Sequence, residues 1–215
     1  MAIEHTRITI VGCGPGSPAY LTDAARQAVA HTEILVGSQR LIELFPNAPA
    51  ERILVDAHIA SLLDRMALLH AAGRRLAVLV SGDPGLCSLA RNVVGRFGRE
   101  GCEVIPAVSS VQVAFARLGL DWTDTRIVSA HGRTPEASSG ELRRSDKIAV
   151  LIGTQEALRW SARIALDLAG SHTLFLAENL TLADERFRQV SAEQLGNMEA
   201  ASLSMILLIR NSVLA

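Results

Sequence analysis

Short apolar runs recur along the chain, and the segments between them place apolar residues at helical spacing. Residues 58–72 show the helical pattern, because Ile59, Leu62, Met66 and Leu69 share one face and Gly73 follows the segment. The apolar runs are rich in Ile, Val and Leu, as buried parallel strands are, and in the first half they fall at 7–12, 34–37, 53–55, 76–80 and 103–105. This alternation predicts a parallel sheet with helices on its faces.

The alternation of strands and helices starts again after Pro106. Thr154 is the predicted N-cap of a long helix that ends near Leu168, whereas the polar segment 134–140 is predicted to be a mobile loop. Strands are predicted at 127–130, 148–153 and 173–177, with closing, partly antiparallel strands at 187–190 and 203–209. The fold class is therefore α/β, with two α/β/α domains, residues 1–106 and 107–215, and mostly parallel or mixed sheets.

The loop Ser81-Gly82-Asp83-Pro84-Gly85 lies between the apolar run at 76–80 and a helix predicted to follow directly and to end near residue 97. In open α/β sheets, ligands bind outside the carboxyl ends of the strands. The two glycines allow close approach of a ligand to the backbone, and Asp83 offers a carboxylate at the rim. An ordinary turn between strand and helix is the structural alternative.

The first strand runs into Gly12-Cys13-Gly14-Pro15-Gly16-Ser17, which invites comparison with a dinucleotide-binding loop. The comparison fails, because Ser17 stands at the third glycine position and Pro15 lacks an N–H for a pyrophosphate. The next helix is also too distant, since its predicted N-cap is Thr22, with Asp23 in the first turn. A ligand at this loop would meet carbonyl oxygens and apolar groups.

A third loop, Pro106-Ala107-Val108-Ser109-Ser110, precedes a helix predicted to end at Leu118. Ser109 or Ser110 can cap that helix, which is the structural interpretation. The functional interpretation adds two small hydroxyl groups and a helix N-terminus that face a ligand.

Composition narrows the function classes. The chain has 215 residues, with 21 Lys and Arg against 22 Asp and Glu, and a net charge of -1. This near-neutral charge disfavours a protein whose main function is to bind nucleic acid. Its three cysteines form no Cys-x-x-Cys pair, and no histidine or cysteine stands at metal-ligand spacing, so no metal site is predicted. No signal peptide or membrane-spanning run is recognised, and a cytoplasmic protein is expected.

These three loops, in this order and spacing, resemble the tetrapyrrole (corrin/porphyrin) methylase family over nearly the whole chain. Two further stretches, Val128-Ser129-Ala130-His131-Gly132-Arg133 and Ala177-Glu178-Asn179-Leu180-Thr181 with Asp184-Glu185-Arg186, resemble the branch that methylates C5 of a precorrin or cobalt-precorrin in cobalamin biosynthesis. In some organisms that activity is fused to a C15-methylating, decarboxylating half. The Gly-rich loop of that half is not found here, and a separate C15 enzyme is a possible partner.

The resemblance implies two α/β domains with a cofactor cleft between them, a homodimer, and S-adenosylmethionine as methyl donor, with S-adenosylhomocysteine as product. Ala107 departs from the family pattern, which often has Gly after Pro106, and this places the local backbone in question. Carried over by motif position, the expected cofactor contacts are Pro15, Gly82, Asp83, Leu86, Ser109, Ser110 and Ile152.

The chemistry needs orientation of an electron-rich meso carbon more than acid–base catalysis, and neither a triad nor a carboxylate pair is found. His131 and Glu178 are candidates for proton transfer, although a hydrogen-bonded loop residue is the more common role for such a histidine. A macrocycle with several carboxylates calls for cations, and Arg133, Arg186 and Arg40 are the expected substrate-binding residues.

Three other functions are open at this point. One is a methylase of the same fold that acts on rRNA or protein, which the near-neutral charge disfavours. Another is a nicotinamide-dependent dehydrogenase, which Pro15 and Ser17 disfavour. The third is a non-catalytic corrinoid-binding subunit, for which intact cofactor loops would serve no purpose.

Overall fold

A computed structural model describes residues 7–130, 134–199 and 201–215 of the chain. Its internal contacts divide the chain into two units, one up to Ser110 and the other from Val111 onward. The boundary expected from the sequence near Pro106 stays a prediction. In the part of the chain that is described, no helix is long and apolar enough to cross a membrane.

The first unit is built on five parallel strands in the order β3-β2-β4-β1-β5. Every residue of β2 and β4 is buried, because helices cover both faces of the sheet centre. The strands are β1 (Ile8–Gly12), β2 (Ile34–Gly37), β3 (Glu51–Leu54), β4 (Leu76–Val80) and β5 (Cys102–Ile105).

Local signals explain where the first helix of this unit begins and where the third one ends. The Thr22 hydroxyl accepts a hydrogen bond from the Ala25 N–H at 3.1 Å, as predicted, and Gly73 follows the third helix with a φ of +77°. The helices are α1 (Asp23–Ala30), α2 (Gln39–Ile42), α3 (Ile59–Ala71) and α4 (Ala90–Phe97), with a 3₁₀ turn at Pro18–Tyr20.

The second unit contains a mixed sheet in the order β6-β7-β10-β8-β9. Only β6 and β7 pair in parallel, and the other three pairings are antiparallel, which confirms the predicted partly antiparallel closing strands. The strands are β6 (Arg126–Ala130), β7 (Lys147–Ile152), β8 (His172–Glu178), β9 (Arg186–Gln189) and β10 (Ser204–Arg210).

The long helix of this unit is the one predicted from Thr154, whose hydroxyl accepts from the Ala157 N–H at 3.1 Å. Its apolar face packs on the buried residues of the sheet, and together they form the core of the unit. The helices from Ser110 onward are α5 (Ser110–Leu118), α6 (Ser139–Leu142), α7 (Gln155–Leu168) and α8 (Ala192–Gly196), followed by a 3₁₀ turn at Asn211–Val213.

Two local expectations were wrong. The helix after the 81–85 loop begins at Ala90, because residues 86–89 form turns. Part of the polar segment 134–140 is helical, since the Ser138 hydroxyl caps α6. Helix α8 was not predicted, although Ser191 and Gln194 form a capping box.

Candidate functional site

The three motif loops of the first unit converge at the carboxyl ends of β4, β1 and β5, which are neighbours in the sheet. Gly12, the last residue of β1, shows how closely they pack. A Cβ atom placed on Gly12 would lie 2.7 Å from the Ala107 Cβ and 2.8 Å from the Pro84 Cδ. Only glycine fits between the other two loops, so the three motif loops lie against one another at this edge of the sheet.

A short antiparallel bridge joins the first two loops directly. The Gly82 N–H donates to the Gly14 carbonyl at 2.8 Å, and the Gly14 N–H donates to the Gly82 carbonyl at 3.3 Å. Both glycines have positive φ, +71° at Gly14 and +65° at Gly82, a conformation that other residues adopt at a cost. The glycines of the two motifs are therefore needed by one local structure.

The Asp83 carboxylate ties the second loop to the third. Its Oδ1 accepts from the Gly85 N–H at 2.8 Å, and its Oδ2 accepts from the Ala107 N–H at 3.0 Å. Both carboxylate oxygens of Asp83 therefore accept hydrogen bonds from backbone N–H groups. The expectation that Asp83 presents a carboxylate at the rim is replaced by a role in shaping the loop.

The other cofactor-binding candidates of the first unit surround this junction. A Cβ atom on Gly82 would lie 3.7 Å from the Ser109 Cα and 3.9 Å from the Ser110 nitrogen, so the second and third loops face each other across a narrow space. Ser109 is 6% exposed and Ser110 begins α5. Pro15 is buried and Leu86 is half-buried.

Arg40 lies beside the same junction, where its Nη2 donates to the Ser81 Oγ at 3.0 Å. Its Nη1 is buried and has no hydrogen-bond partner among the described residues, and burial lowers the pKa of its guanidinium. Burial also raises the pKa of the nearby Cys13 thiol to about 12, so that thiol stays neutral. Arg40 thus supports the 81–85 loop in addition to supplying positive charge.

In the second unit, one end of the sheet collects the remaining candidates in register. Ile152 pairs with Ser204, Ser204 pairs with Glu178, and Glu178 pairs with Arg186, so these four residues form a row across four strands. Ile152 is fully buried and Arg186 is exposed. His131 and Arg133 lie outside the described residues.

Glu178 is held in an ion pair. The Arg188 Nη2 donates to its Oε2 at 2.9 Å, and the Glu178 side chain is only 13% exposed. The Nε of Arg188 is buried and lacks a hydrogen-bond partner among the described residues. An ion-paired carboxylate of this kind is better suited to holding charge and position than to transferring a proton.

The loop after Glu178 has a second anchor that the sequence did not point to. Glu185 accepts two hydrogen bonds from Arg117, at 2.6 Å from Nε and 3.1 Å from Nη2, and one from the Thr181 N–H at 2.6 Å. The bonds from Arg117 hold the pKa of the Glu185 carboxyl below its usual value. The role of Arg117, in α5, could not be predicted from the sequence, because its partner Glu185 is 68 residues away.

Comparison with known proteins identifies the family. The family model described as Tetrapyrrole (Corrin/Porphyrin) Methylases matches residues 7–196. The chain belongs to this family. Members of the family are S-adenosylmethionine-dependent methyltransferases, so the resemblance drawn from the three loops is confirmed, and so is the α/β fold class.

The curated relatives point to one branch. The chain is 33% identical over 180 residues to the cobalt-precorrin-7 C(5)-methyltransferase of Salmonella typhimurium, covering 83% of this chain and 88% of the relative. It is 27% identical over 205 residues to the probable cobalt-precorrin-7 C(5)-methyltransferase of Methanocaldococcus jannaschii, covering 92% and 95%. A precorrin-6Y C(5,15)-methyltransferase (decarboxylating) of Sinorhizobium is 32% identical over 135 residues, which span 61% of this chain and 32% of that protein.

Solved structures share the fold. The precorrin-6Y methylase of Archaeoglobus fulgidus has a TM-score of 0.74 at 26% identity and covers 95% of this chain and 98% of its own. The uroporphyrin-III C-methyltransferase of Thermus thermophilus, solved with S-adenosylhomocysteine, has a TM-score of 0.76 at 24% identity and covers 94% and 97%.

Proposed function

We propose that this protein is a C-methyltransferase that transfers a methyl group from S-adenosylmethionine to C5, a meso carbon, of a precorrin or cobalt-precorrin in cobalamin biosynthesis. The observation that carries the proposal is the convergence of the three motif loops at Gly12, Asp83 and Ala107 in a chain of this family. The choice of C5 is supported by the names of the relatives that the chain resembles over most of its length.

We propose that a folded nucleoside cofactor binds at this junction. A Cβ atom on Gly82 would lie in van der Waals contact with the Ser109 Cα at 3.7 Å and the Ser110 nitrogen at 3.9 Å, and glycine at this position supports the proposal because it leaves the backbone of both loops accessible to a ligand. The proposed cofactor contacts are Pro15, Gly82, Asp83, Leu86, Ser109, Ser110 and Ile152, with Asp83 acting by fixing the loop. When bound, S-adenosylmethionine supplies a methyl group that its sulfonium already activates.

The task left to the protein is orientation. Holding two reactants in line is worth roughly 7–11 kcal/mol of barrier, more than a general acid or base provides. Arg40, Arg133 and Arg186 are the proposed cations for the carboxylates of the macrocycle. Glu178 and His131 remain proposals for proton transfer, although the ion pair with Arg188 favours a positioning role for Glu178. We further propose that the enzyme acts in the cytoplasm as a homodimer.

A calorimetric titration with S-adenosylhomocysteine, with NADH as control ligand, tests the cofactor class. We expect saturable binding of S-adenosylhomocysteine and none of NADH. Binding of NADH alone would contradict the methylase proposal, and binding of neither would favour a non-catalytic subunit.

Methyl transfer is the second test. The protein is incubated with cobalt-precorrin-7 and S-adenosylmethionine, and the product is analysed by mass spectrometry and by NMR with a ¹³C-labelled methyl group. We expect one labelled methyl on C5. A methyl on another carbon, or on added rRNA instead, would contradict the proposed substrate.

A further inference from the structure

The segment that follows Glu178 contains two residues in the left-handed region, Asn179 with a φ of +50° and Thr181 with a φ of +71°. Asparagine visits this region readily, but threonine is β-branched and adopts it only under constraint. Backbone strain of this kind persists where the surrounding structure enforces it, and it is concentrated at ligand-binding segments.

Glu185 supplies the constraint at Thr181. Its Oε2 accepts the Thr181 N–H at 2.6 Å, while the Arg117 guanidinium donates to both of its oxygens. The side chain of Glu185 is 22% exposed, so the group is partly shielded from solvent. The carboxylate is therefore fixed by α5 on one side and fixes the loop on the other.

The neighbouring residues hold the rest of the segment. The Asn179 side-chain amide donates to the Asp184 carboxylate at 2.7 Å, and the Asn179 N–H donates to the Leu203 carbonyl at 3.0 Å. Leu180, between the two left-handed residues, is buried. The path of residues 178–181 is thus determined by contacts at both of its ends.

We propose that Glu185 is a positioning residue for ligand binding: by holding Thr181 in the left-handed conformation, it fixes the course of residues 178–180 against the bound cofactor or substrate. The inference rests on the proposed function, in which Glu178 lies at the ligand site. In this proposal Glu185 and Arg117 act through the loop and not through direct contact with the ligand.

The test compares Glu185→Gln with Asp121→Asn. Asp121→Asn is a matched control, because it also neutralises a carboxylate that pairs with a close cation, Lys147 at 2.7 Å. This pair lies in the same unit but away from residues 178–185. We expect Glu185→Gln to weaken S-adenosylhomocysteine binding, or to raise the KM for the macrocycle, by roughly 10- to 100-fold. The control should bind both ligands as the wild type does.

Thr181→Gly in the Glu185→Gln background separates positioning from a direct contact. Glycine adopts positive φ without strain, so it should restore most of the lost affinity, and Thr181→Asn should do so in part. If Glu185 touched the ligand itself, neither substitution would help. Absence of rescue would overturn the proposal, as would an equal loss of affinity in the Asp121→Asn control.

Hydrogen exchange of residues 179–185 reports on the constraint without any ligand. We expect faster exchange of the Thr181 amide in Glu185→Gln than in the wild type or the control; unchanged exchange would overturn the proposal. Failure of the proposed function is seen separately, in the wild-type protein, as no binding of S-adenosylhomocysteine and no methylation of a corrinoid. In that case the role of Glu185 in ligand binding fails too, even if the exchange result is as expected.

Discussion

The Asp83 carboxylate bridges to the backbone N–H of Ala107 at 3.0 Å, so that a residue after β4 holds the loop after β5. Its other oxygen accepts the Gly85 N–H at 2.8 Å within its own loop. One side chain therefore determines the relative position of two of the three motif loops.

Removing this side chain should affect both folding and ligand binding. Asp83→Ala loses two hydrogen bonds to a charged acceptor, and we expect the free energy of unfolding to fall by about 2 kcal/mol. Urea denaturation measures this loss, and calorimetry with S-adenosylhomocysteine measures the accompanying loss of affinity. Asp56→Ala is the matched control, since within the described part of the chain Asp56 accepts only the local His58 N–H, at 2.8 Å. Equal effects of the two substitutions would contradict a special role for Asp83.

Gly12 and Ala107 should behave as a pair. Gly12→Ala places a Cβ atom 2.7 Å from the Ala107 Cβ, and we expect a destabilisation of about 1–3 kcal/mol from overpacking. Adding Ala107→Gly to this variant removes the methyl group with which the new Cβ atom clashes. The recovery of stability is limited by the remaining clash with the Pro84 Cδ at 2.8 Å. A double-mutant cycle in urea checks this coupling, and additive effects would show that the two loops do not touch.

Much of the fold follows from local sequence. The strand over residues 76–80 and the helix after Thr154 have the predicted bounds, because a buried apolar run and a capping hydroxyl are local signals. Ala107 placed the local backbone in question, but it is absent from the non-glycine residues with positive φ, and Gly12 opposite leaves room for its methyl group.

The sequence predicted the residues of the site that belong to recognised motifs, but not the contacts between them. The three motif loops were recognised by their order, yet the partner of Asp83 was not, because 24 residues separate it from Ala107. Arg188 and Arg117 pair with Glu178 and Glu185 through the tertiary fold alone. Spacing along the sequence carries no information about such contacts, so these ion pairs of the second unit could not be predicted.

The ion pair between Glu178 and Arg188 should stabilise the second unit of the chain as long as both charges are present. Glu178→Gln leaves a guanidinium whose Nε already lacks a hydrogen-bond partner in the described structure. Because Arg188 is 39% exposed, solvent screens it, and we expect a loss of about 1–2 kcal/mol rather than the larger cost of a fully buried charge. Urea denaturation measures the loss.

The double variant Glu178→Gln with Arg188→Met should recover most of that stability, since no unpaired charge remains. The pH dependence of kcat in Glu178→Gln is a second readout. If Glu178 transferred a proton, the profile would lose a titrating limb; we expect its shape to be retained and the KM to rise.

The buried thiol of Cys13 should make stability depend on pH in the alkaline range. Its pKa is raised from 9.0 to about 12 in the folded protein, so between these values the unfolded thiol ionises while the folded thiol stays protonated. The unfolded state then binds fewer protons, and stability falls as pH rises above 9, by about 1.4 kcal/mol for each pH unit up to the folded pKa. The contribution is fully present below pH 9. Urea denaturation at pH 8 and pH 10 measures the change, and Cys13→Ala should lose about 1.4 kcal/mol less over that interval than the wild type. An equal loss in both proteins would show that other groups cause the alkaline destabilisation and that the Cys13 thiol reaches solvent.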